Sequence, residues 1–304
     1  MRFLIVGAGA IGGYFGGRLA QKGEDVTFLV RSKKQKQLND EGLTIKSIHG
    51  DFHTPVKTIG YEDPVQKYDV IIIAVKSYHL PQVQTDIAPY VGSKTVILPL
   101  LNGYEHFEHL QHAFGKETIL GGLCFIETTL DEHGTVIQSS PRHDLVFGEW
   151  DGTYSDRAKR ILSHFHDAGF NVTLSENIQR DIWHKYIFIA SMSGVTTLMN
   201  APIGPILSDE NGQKIYRRLI LEVTSIAKLV GAPVSEEVEE QTFQITLALS
   251  PSMKSSMQRD MEKNLSVEAQ HLHGFLLAKI SPTEENYPIL QTVYSRLKIY
   301  ESML

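Results

Sequence analysis

One cysteine in 304 residues has no partner for an intramolecular disulfide, which fits a reducing compartment. Cys124 stands in an apolar run with no activating charge beside it in sequence, so it reads as a buried structural thiol. Positive charge is in short supply too. Lys and Arg number 29 against 35 Asp and Glu, a net charge of −6, and no basic arm or tail compensates. That balance argues against nucleic acid as a partner. No segment reaches the roughly 18 uninterrupted apolar residues of a membrane span. The opening residues lack the basic start and long apolar stretch of a signal peptide. A soluble, cytoplasmic protein is expected, and neither an internal repeat nor a low-complexity tract interrupts the chain.

The length exceeds one ordinary core and suggests two domains. In the first half, short β-rich runs alternate with helical patterns: Phe3 to Val6, a helix near Ile11 to Lys22, Asp25 to Val30, and a helix from Lys33. Further runs are Asp69 to Val75, Thr95 to Leu101 and Thr118 to Ile126. This alternation implies βαβ units, and near-continuous apolar strands such as DVIIIAV fit a parallel sheet covered on both faces. Thr135 to Gln138 and Asp144 to Phe147 read as an antiparallel pair, followed by a helix near Ser155 to Ala168 and a strand at Asn171 to Leu174. Beyond about Ile178, helical periodicity takes over through Ile178 to Met199, Gly212 to Leu229, Glu236 to Leu249, Val267 to Ala278 and Tyr287 to Met303. The expected architecture is an α/β Rossmann-type doubly wound domain over residues 1–176. An all-α substrate and dimerisation domain follows over 177–304, with the active site in the crevice between the two.

The first βα turn carries Gly7-Ala8-Gly9-Ala10-Ile11-Gly12, which satisfies G-x-G-x-x-G between an apolar strand and a helix. In that context Gly7 permits the tight turn, Gly9 lets a pyrophosphate reach the backbone, and Gly12 lets helix and strand pack closely. Phosphate then meets the free N–H groups of the helix N-terminus. Gly13, Gly16 and Gly17 read as packing residues. At the end of the second strand, where an NAD-binding chain usually carries an acid for the ribose hydroxyls, this chain has Arg31-Ser32-Lys33-Lys34. Arg31 can hold a 2′-phosphate with a fork of donors, which favours NADP over NAD. Lys76 and Asn102-Gly103 each follow an apolar strand, where open sheets bind ligands. Lys185 lies among apolar residues in DIWHKYIFIA, and desolvation of an amine suits it to donate a proton near neutrality. Ser256, Asp260 and Glu268 stand in helical segments whose spacing alone is compatible with solvated faces and caps.

Taken together, GAGAIGGYFG, VKSYH, LLNG, IWHK and SSMQRD with Glu268 eight residues beyond that motif resemble the ketopantoate reductases (2-dehydropantoate 2-reductases) across nearly the whole chain. The resemblance implies NADPH-dependent reduction of 2-dehydropantoate to pantoate, a step of pantothenate biosynthesis. It also implies roles for individual residues. Lys185 would donate a proton to the ketone, and Glu268 would lie at the substrate and nicotinamide. Asn102 would contact cofactor and substrate, Ser256 would bind substrate, and Lys76 would line the cleft. Hydride attack on a ketone builds alkoxide charge, which a nearby ammonium stabilises and then protonates.

The chain also departs from that family. Asparagines expected four and eight residues after the lysine are replaced by Ile189 and Ser193, and a third falls near Ile203. Loss of buried amides would cost a polar hydroxy acid its partners and opens a second reading, a reductase of a less polar 2-oxo acid or ketone. A non-catalytic NADP-sensing module is the reading from another class, and retention of Lys185 and Glu268 argues against it. His106, His109 and His112 fall near one helical face without a cysteine partner, and no metal is expected. The paired His164/His166 and His271/His273 carry still less of a metal signal. Apolar stripes at Leu219 to Val230 and Ile289 to Tyr300 would serve either a homodimer or an ordinary core.

Overall fold

The computed structural model describes residues 1–60, 63–281 and 287–304; Pro282, which with Ser281 reads as loop punctuation in the sequence, lies outside the described residues. By internal contacts the chain forms two units. One comprises 1–101 and 106–178, the other 102–105 and 179–304.

In the first unit, the opening apolar run forms β1 (Arg2–Val6), then α1 (Ala10–Lys22), β2 (Asp25–Leu29) and α2 (Ser32–Glu41). Three short strands follow, β3 (Leu43–Ser47), β4 (Phe52–Thr54) and β5 (Lys57–Ile59), none of which the sequence pattern announces. Next come β6 (Val70–Ile73), α3 (Leu80–Ile87), β7 (Val96–Pro99) and α4 (Glu105–Phe114). The unit ends with β8 (Gly121–Leu130), β9 (Val136–Gly148), α5 (Asp156–Phe165) and β10 (Asn171–Leu174). A five-stranded parallel sheet runs β5-β2-β1-β6-β7. Its strand order turns outward in both directions from β1. A ligand crevice is therefore expected at the C-terminal ends of β1 and β6.

A second sheet runs β10-β9-β3-β4, with β8 paired to β9. Here the expected antiparallel pair at 135–138 and 144–147 is corrected: both segments belong to one continuous β9. Its antiparallel partner is β8, with a register shift between Ile126 and Thr128 opposite residues 139–142. Ser140-Pro141 sits in that bulge, where a proline need not supply a ladder N–H, so a turn signal in the sequence became an irregularity within a strand. The Ser140 hydroxyl accepts the Glu127 N–H at 2.9 Å instead. The last strand, β10, pairs in parallel with β9 and belongs to this second sheet.

Helix α1 packs between the two sheets, and its glycines are the reason it can. A Cβ on Gly16 would stand 2.8 Å from Ile5 and 2.9 Å from Phe28, both in the first sheet. One on Gly13 would stand 2.8 Å from Val136, and one on Gly17 2.7 Å from Ile45, both in the second. These glycines cost helix propensity, and close approach on both faces offsets it.

The helical unit is built on α6 (Ile178–Met199), followed by α7 (Ile203–Ser208), α8 (Glu210–Leu229), α9 (Val238–Leu247) and α10 (Ser256–Glu262). A π-helical turn (Gln270–Gly274) leads into α11 (Phe275–Leu277), and α12 (Pro288–Ser302) closes the chain. Helix α6 is apolar on nearly every side, as a helix surrounded by others must be. A Cβ on its Gly194 would lie 2.8 Å from Leu219 and 3.2 Å from Val293, so α8 and α12 press close against it. The helix expected over Val267 to Ala278 is found from Ala269 to Leu277, starting two residues later and opening as a π turn before its α-helical end. Two tertiary bonds override the periodicity there: His271 Nε2 reaches the Asn102 carbonyl at 2.8 Å, and His273 Nε2 the Ala190 carbonyl at 2.9 Å. The apolar stripes of α8 and α12 are mostly core, with Leu219, Val223, Val293 and Leu297 fully buried and Leu229 and Ile299 left exposed.

Candidate active site

In the α/β unit, a cavity of about 760 Å³ opens at the strand ends. Gly7 to Gly9 after β1, Arg31 after β2, Lys34 and Gln37 of α2, and His79 beyond β6 line it. Its last wall is the turn from Asp131 to Gly134 between β8 and β9. That turn is set by Asp131, whose carboxylate accepts the N–H groups of His133 and Thr135 at 3.0 and 2.8 Å. Gln37 ties it to α2 by donating to the His133 carbonyl at 2.6 Å.

The glycine loop divides its tasks by geometry. Gly7 adopts φ +94°, and a Cβ there would lie 2.9 Å from Val75, so both conformation and space demand glycine. A Cβ on Gly12 would stand 2.0 Å from the Gly7 carbonyl oxygen. Gly9 differs: a Cβ there would meet nothing within 4 Å. Space is left open at the N-cap of α1, where no side chain caps the helix and no acidic residue occupies the first turn. Uncapped N–H groups, open space and the helix dipole together fit a pyrophosphate.

Around the far end of the cavity, Arg31 is the N-cap residue of α2, and its Nη2 lies 3.3 Å from His79 Nδ1. Partial burial, reinforced by the Arg31 charge, pushes the His79 imidazole down from its ordinary value. Burial likewise lowers the Lys34 amine, with Glu41 opposing the effect, and Lys34 Nζ donates to Gln37 at 3.0 Å. Lys76 follows β6 as a half-buried residue in extended backbone before a short turn of helix.

In the helical unit, Lys185 is 8% exposed on α6 and donates from Nζ to Asn102 Oδ1 at 3.0 Å. Asn102 begins the tetrapeptide that reverses at Gly103, φ +88°. Tyr104 stacks on Trp183 of α6 with ring centroids 4.6 Å apart. The tetrapeptide ends at Glu105, whose Oε2 lies 3.1 Å from His271 Nδ1. Of the residues singled out in the sequence, the structure therefore joins Asn102 and Lys185 directly. Glu268 is half-buried just ahead of the π turn. Ser256 is exposed on the first turn of α10, and it is the neighbouring Ser255 that is buried, accepting from the Gln258 N–H at 3.1 Å and pairing with Thr196 at 2.9 Å. Ile189 packs half-buried against the helical core, and Ser193 is buried with its carbonyl accepting from Thr197 at 2.6 Å. Ile203 is 1% exposed and purely core.

Sequence reasoning missed Glu105 and treated His271 only as a weak metal candidate. The signal was the Asn-Gly pair itself, since a turn that reverses the chain at φ above zero needs partners for the carbonyls it turns inward. His106 is fully buried while His109 and His112 are exposed, and among the described residues no group of three metal-ligating side chains assembles. No helix among the described residues is long and apolar enough to cross a membrane.

Comparison with known proteins matches residues 3–152 to the family model of ketopantoate reductase PanE/ApbA and residues 177–301 to the model of its C-terminal domain. The chain is 45% identical over 302 residues to the uncharacterized oxidoreductase YkpB of Bacillus subtilis strain 168, covering 99% of each chain. A 2-dehydropantoate 2-reductase of Nostoc sp. is 27% identical over 99% of this chain and 95% of its own. Among solved structures, 2-dehydropantoate 2-reductase from Geobacter metallireducens GS-15 superposes with a TM-score of 0.88 at 28% identity, covering 98% of this chain and 99% of that one.

Proposed function

Because the chain belongs to the ketopantoate reductase PanE/ApbA family of oxidoreductases, we propose that it reduces a 2-oxo acid to a 2-hydroxy acid with NADPH. The family default, 2-dehydropantoate to pantoate, is the first substrate to test. The observation that carries the reading is the Lys185 ammonium, mostly buried and aimed by Asn102. NADPH supplies the hydride. As charge develops on the former carbonyl oxygen, the Lys185 Nζ–H stabilises it and passes on a proton, and the amine regains one from solvent. By accepting one of the three Nζ–H groups, Asn102 Oδ1 orients the ammonium so that another N–H faces the substrate. Glu268 and Lys76 serve the nicotinamide and the cleft, and Ser256 the substrate, as the family's pattern implies.

Preference for NADPH rests on Arg31 at the rim of the cavity with Lys33 and Lys34 close behind it, and on the absence of an acid at the end of β2. Arg31→Ala should weaken NADPH by roughly tenfold and leave NADH unchanged, the low end for a charged hydrogen bond because the side chain is exposed. Tighter binding of NADH than NADPH by the wild type would overturn this part of the reading.

A second reading of the substrate rests on Ile189 and Ser193, which offer no amide to a polar hydroxy acid and are engaged with the helical core. It favours a 2-oxo acid whose distal part is less polar than that of 2-dehydropantoate. Steady-state rates with 2-dehydropantoate, pyruvate, 2-oxoisovalerate and phenylpyruvate separate the two, and a clear preference for 2-dehydropantoate would refute the altered pocket. Lys185→Ala should abolish turnover with every member of the panel. Turnover by none of them in the wild type would return the protein to the sensing class.

A further inference from the structure

Resting on the reading of Lys185 as the proton donor, we propose that His271 and Glu105 form a clamp that positions Asn102, and through it the Lys185 ammonium. The chain of contacts is continuous within the helical unit. Lys185 Nζ donates to Asn102 Oδ1 at 3.0 Å, the Asn102 carbonyl lies 2.8 Å from His271 Nε2, and His271 Nδ1 lies 3.1 Å from Glu105 Oε2.

The chemistry of the partners fixes one proton on the ring. A backbone carbonyl can only accept, so His271 Nε2 carries a hydrogen toward Asn102. The contact between Nδ1 and the Glu105 carboxyl needs one proton between the two atoms, which either side can hold. The ring thus bridges two ends of the same tetrapeptide, Asn102 and Glu105. Its side chain is 7% exposed, which leaves little water to compete for either bond. The π turn presents it there, in keeping with the frequent use of such turns at functional sites.

Close packing supports a positioning role. A Cβ on Gly103 would lie 3.1 Å from the His271 ring and 3.0 Å from Leu272, so the tetrapeptide rests directly on the histidine. Tyr186 holds the other side of the turn, donating to the Leu272 carbonyl at 2.7 Å. The Tyr104–Trp183 stack and the Asn102–Lys185 bond join the same tetrapeptide to α6, so a shift of the tetrapeptide is passed to the lysine. A misplacement of about 1 Å at a reacting group costs on the order of 100-fold in rate.

The test compares His271→Leu, His271→Gln and Glu105→Gln in the full chain, with NADPH and the best substrate of the panel above. His271→Leu should lower kcat by about 100-fold while the Kd for NADPH stays unchanged. His271→Gln keeps an N–H able to reach the Asn102 carbonyl and should recover about tenfold of that loss. Glu105→Gln should cost about fivefold or less, since the contact between Nε2 and the Asn102 carbonyl survives. A readout free of turnover is the ¹⁵N spectrum of the histidine rings, in which the His271 Nε2, assigned by its loss in His271→Gln, should carry a directly bonded proton. In His271→Leu the amide resonances of Asn102 and Gly103 should shift. Wild-type kcat in His271→Leu, or a ring with a bare Nε2, would overturn the clamp. Failure of the wild type to turn over any substrate would instead overturn the reading beneath it, and the ring spectrum would still decide whether His271 holds Asn102.

Discussion

Replacing Gly9 and Gly12 by alanine in turn should separate nucleotide binding from folding. The two stand three residues apart in one loop, yet a Cβ at Gly9 enters open space and one at Gly12 enters the Gly7 carbonyl at 2.0 Å. At Gly9 the backbone (φ −82°, ψ −163°) is one alanine adopts without strain. Loss of a favoured N-cap residue costs about 0.5 kcal/mol. The reduced freedom of the unfolded chain returns about 0.4–1 kcal/mol. Stability should therefore stay within about 0.5 kcal/mol of wild type, a shift of roughly 2 °C or less in Tm. The new methyl fills the space a pyrophosphate needs. Losing two backbone N–H bonds to phosphate at about 1.5 kcal/mol each predicts NADPH binding weaker by on the order of 100-fold. Gly12→Ala must push α1 off the loop, at about 3 kcal/mol or more, and should lower Tm by about 6 °C as well as abolishing binding. Scanning calorimetry and fluorescence titration with NADPH read the two quantities separately. Wild-type affinity in Gly9→Ala would refute the assignment of this loop to phosphate, and a stability loss equal to that of Gly12→Ala would refute the argument from space.

Two further outcomes concern the helical unit. His273 is fully buried, and burial pushes its imidazole down to about 4 even though Nε2 donates to the Ala190 carbonyl. Since the folded value lies below the unfolded one, near 6.5, the unfolded chain takes up the proton first as pH falls, and stability present above about 6.5 is lost toward about 4. The loss should total about 3 kcal/mol in urea titrations between pH 7 and 4. His273→Gln should flatten that slope, and an unchanged slope would show that another group is responsible. Glu222, 1% exposed on α8, accepts from Arg218 at 3.0 Å and from the Leu290 N–H at 2.8 Å at the start of α12. Glu222→Ala should cost about 3 kcal/mol by stranding these donors and Glu222→Gln clearly less, so equal losses in denaturant melts would show that the carboxylate acts only by filling space.

What could be read from the residues depended on whether local pattern or distant contact decided the outcome. The parallel sheet and glycine loop were legible because apolar runs and G-x-G-x-x-G act over a few residues. The split between Gly9, which faces open space, and Gly16, which faces Ile5 and Phe28, followed from the same motif and the helix that continues it. β9 was misread because Pro141 signals a turn in sequence, and only β8 alongside turns that signal into a bulge. The π turn escaped for a similar reason. Its two histidines bond carbonyls 169 and 83 residues away, a separation at which periodicity carries no information. Asn102 and Lys185 were found as separate motifs, and their bond joins residues 83 apart. Ser256 shows the opposite limit, because the neighbouring serine does the buried work.

Residues 102–105 count with the helical unit although about a hundred residues of the other unit precede them and more than seventy follow. The two halves are therefore not separable modules along the chain. A cut at residue 176 would give a C-terminal fragment whose lysine has lost its asparagine and whose His271 ring has lost Asn102 and Glu105. The same holds for inheritance: a recombination that exchanged helical halves between relatives would import a lysine aimed by another lineage's tetrapeptide. Turnover in such a chimera would depend on four residues carried by the half that was not exchanged.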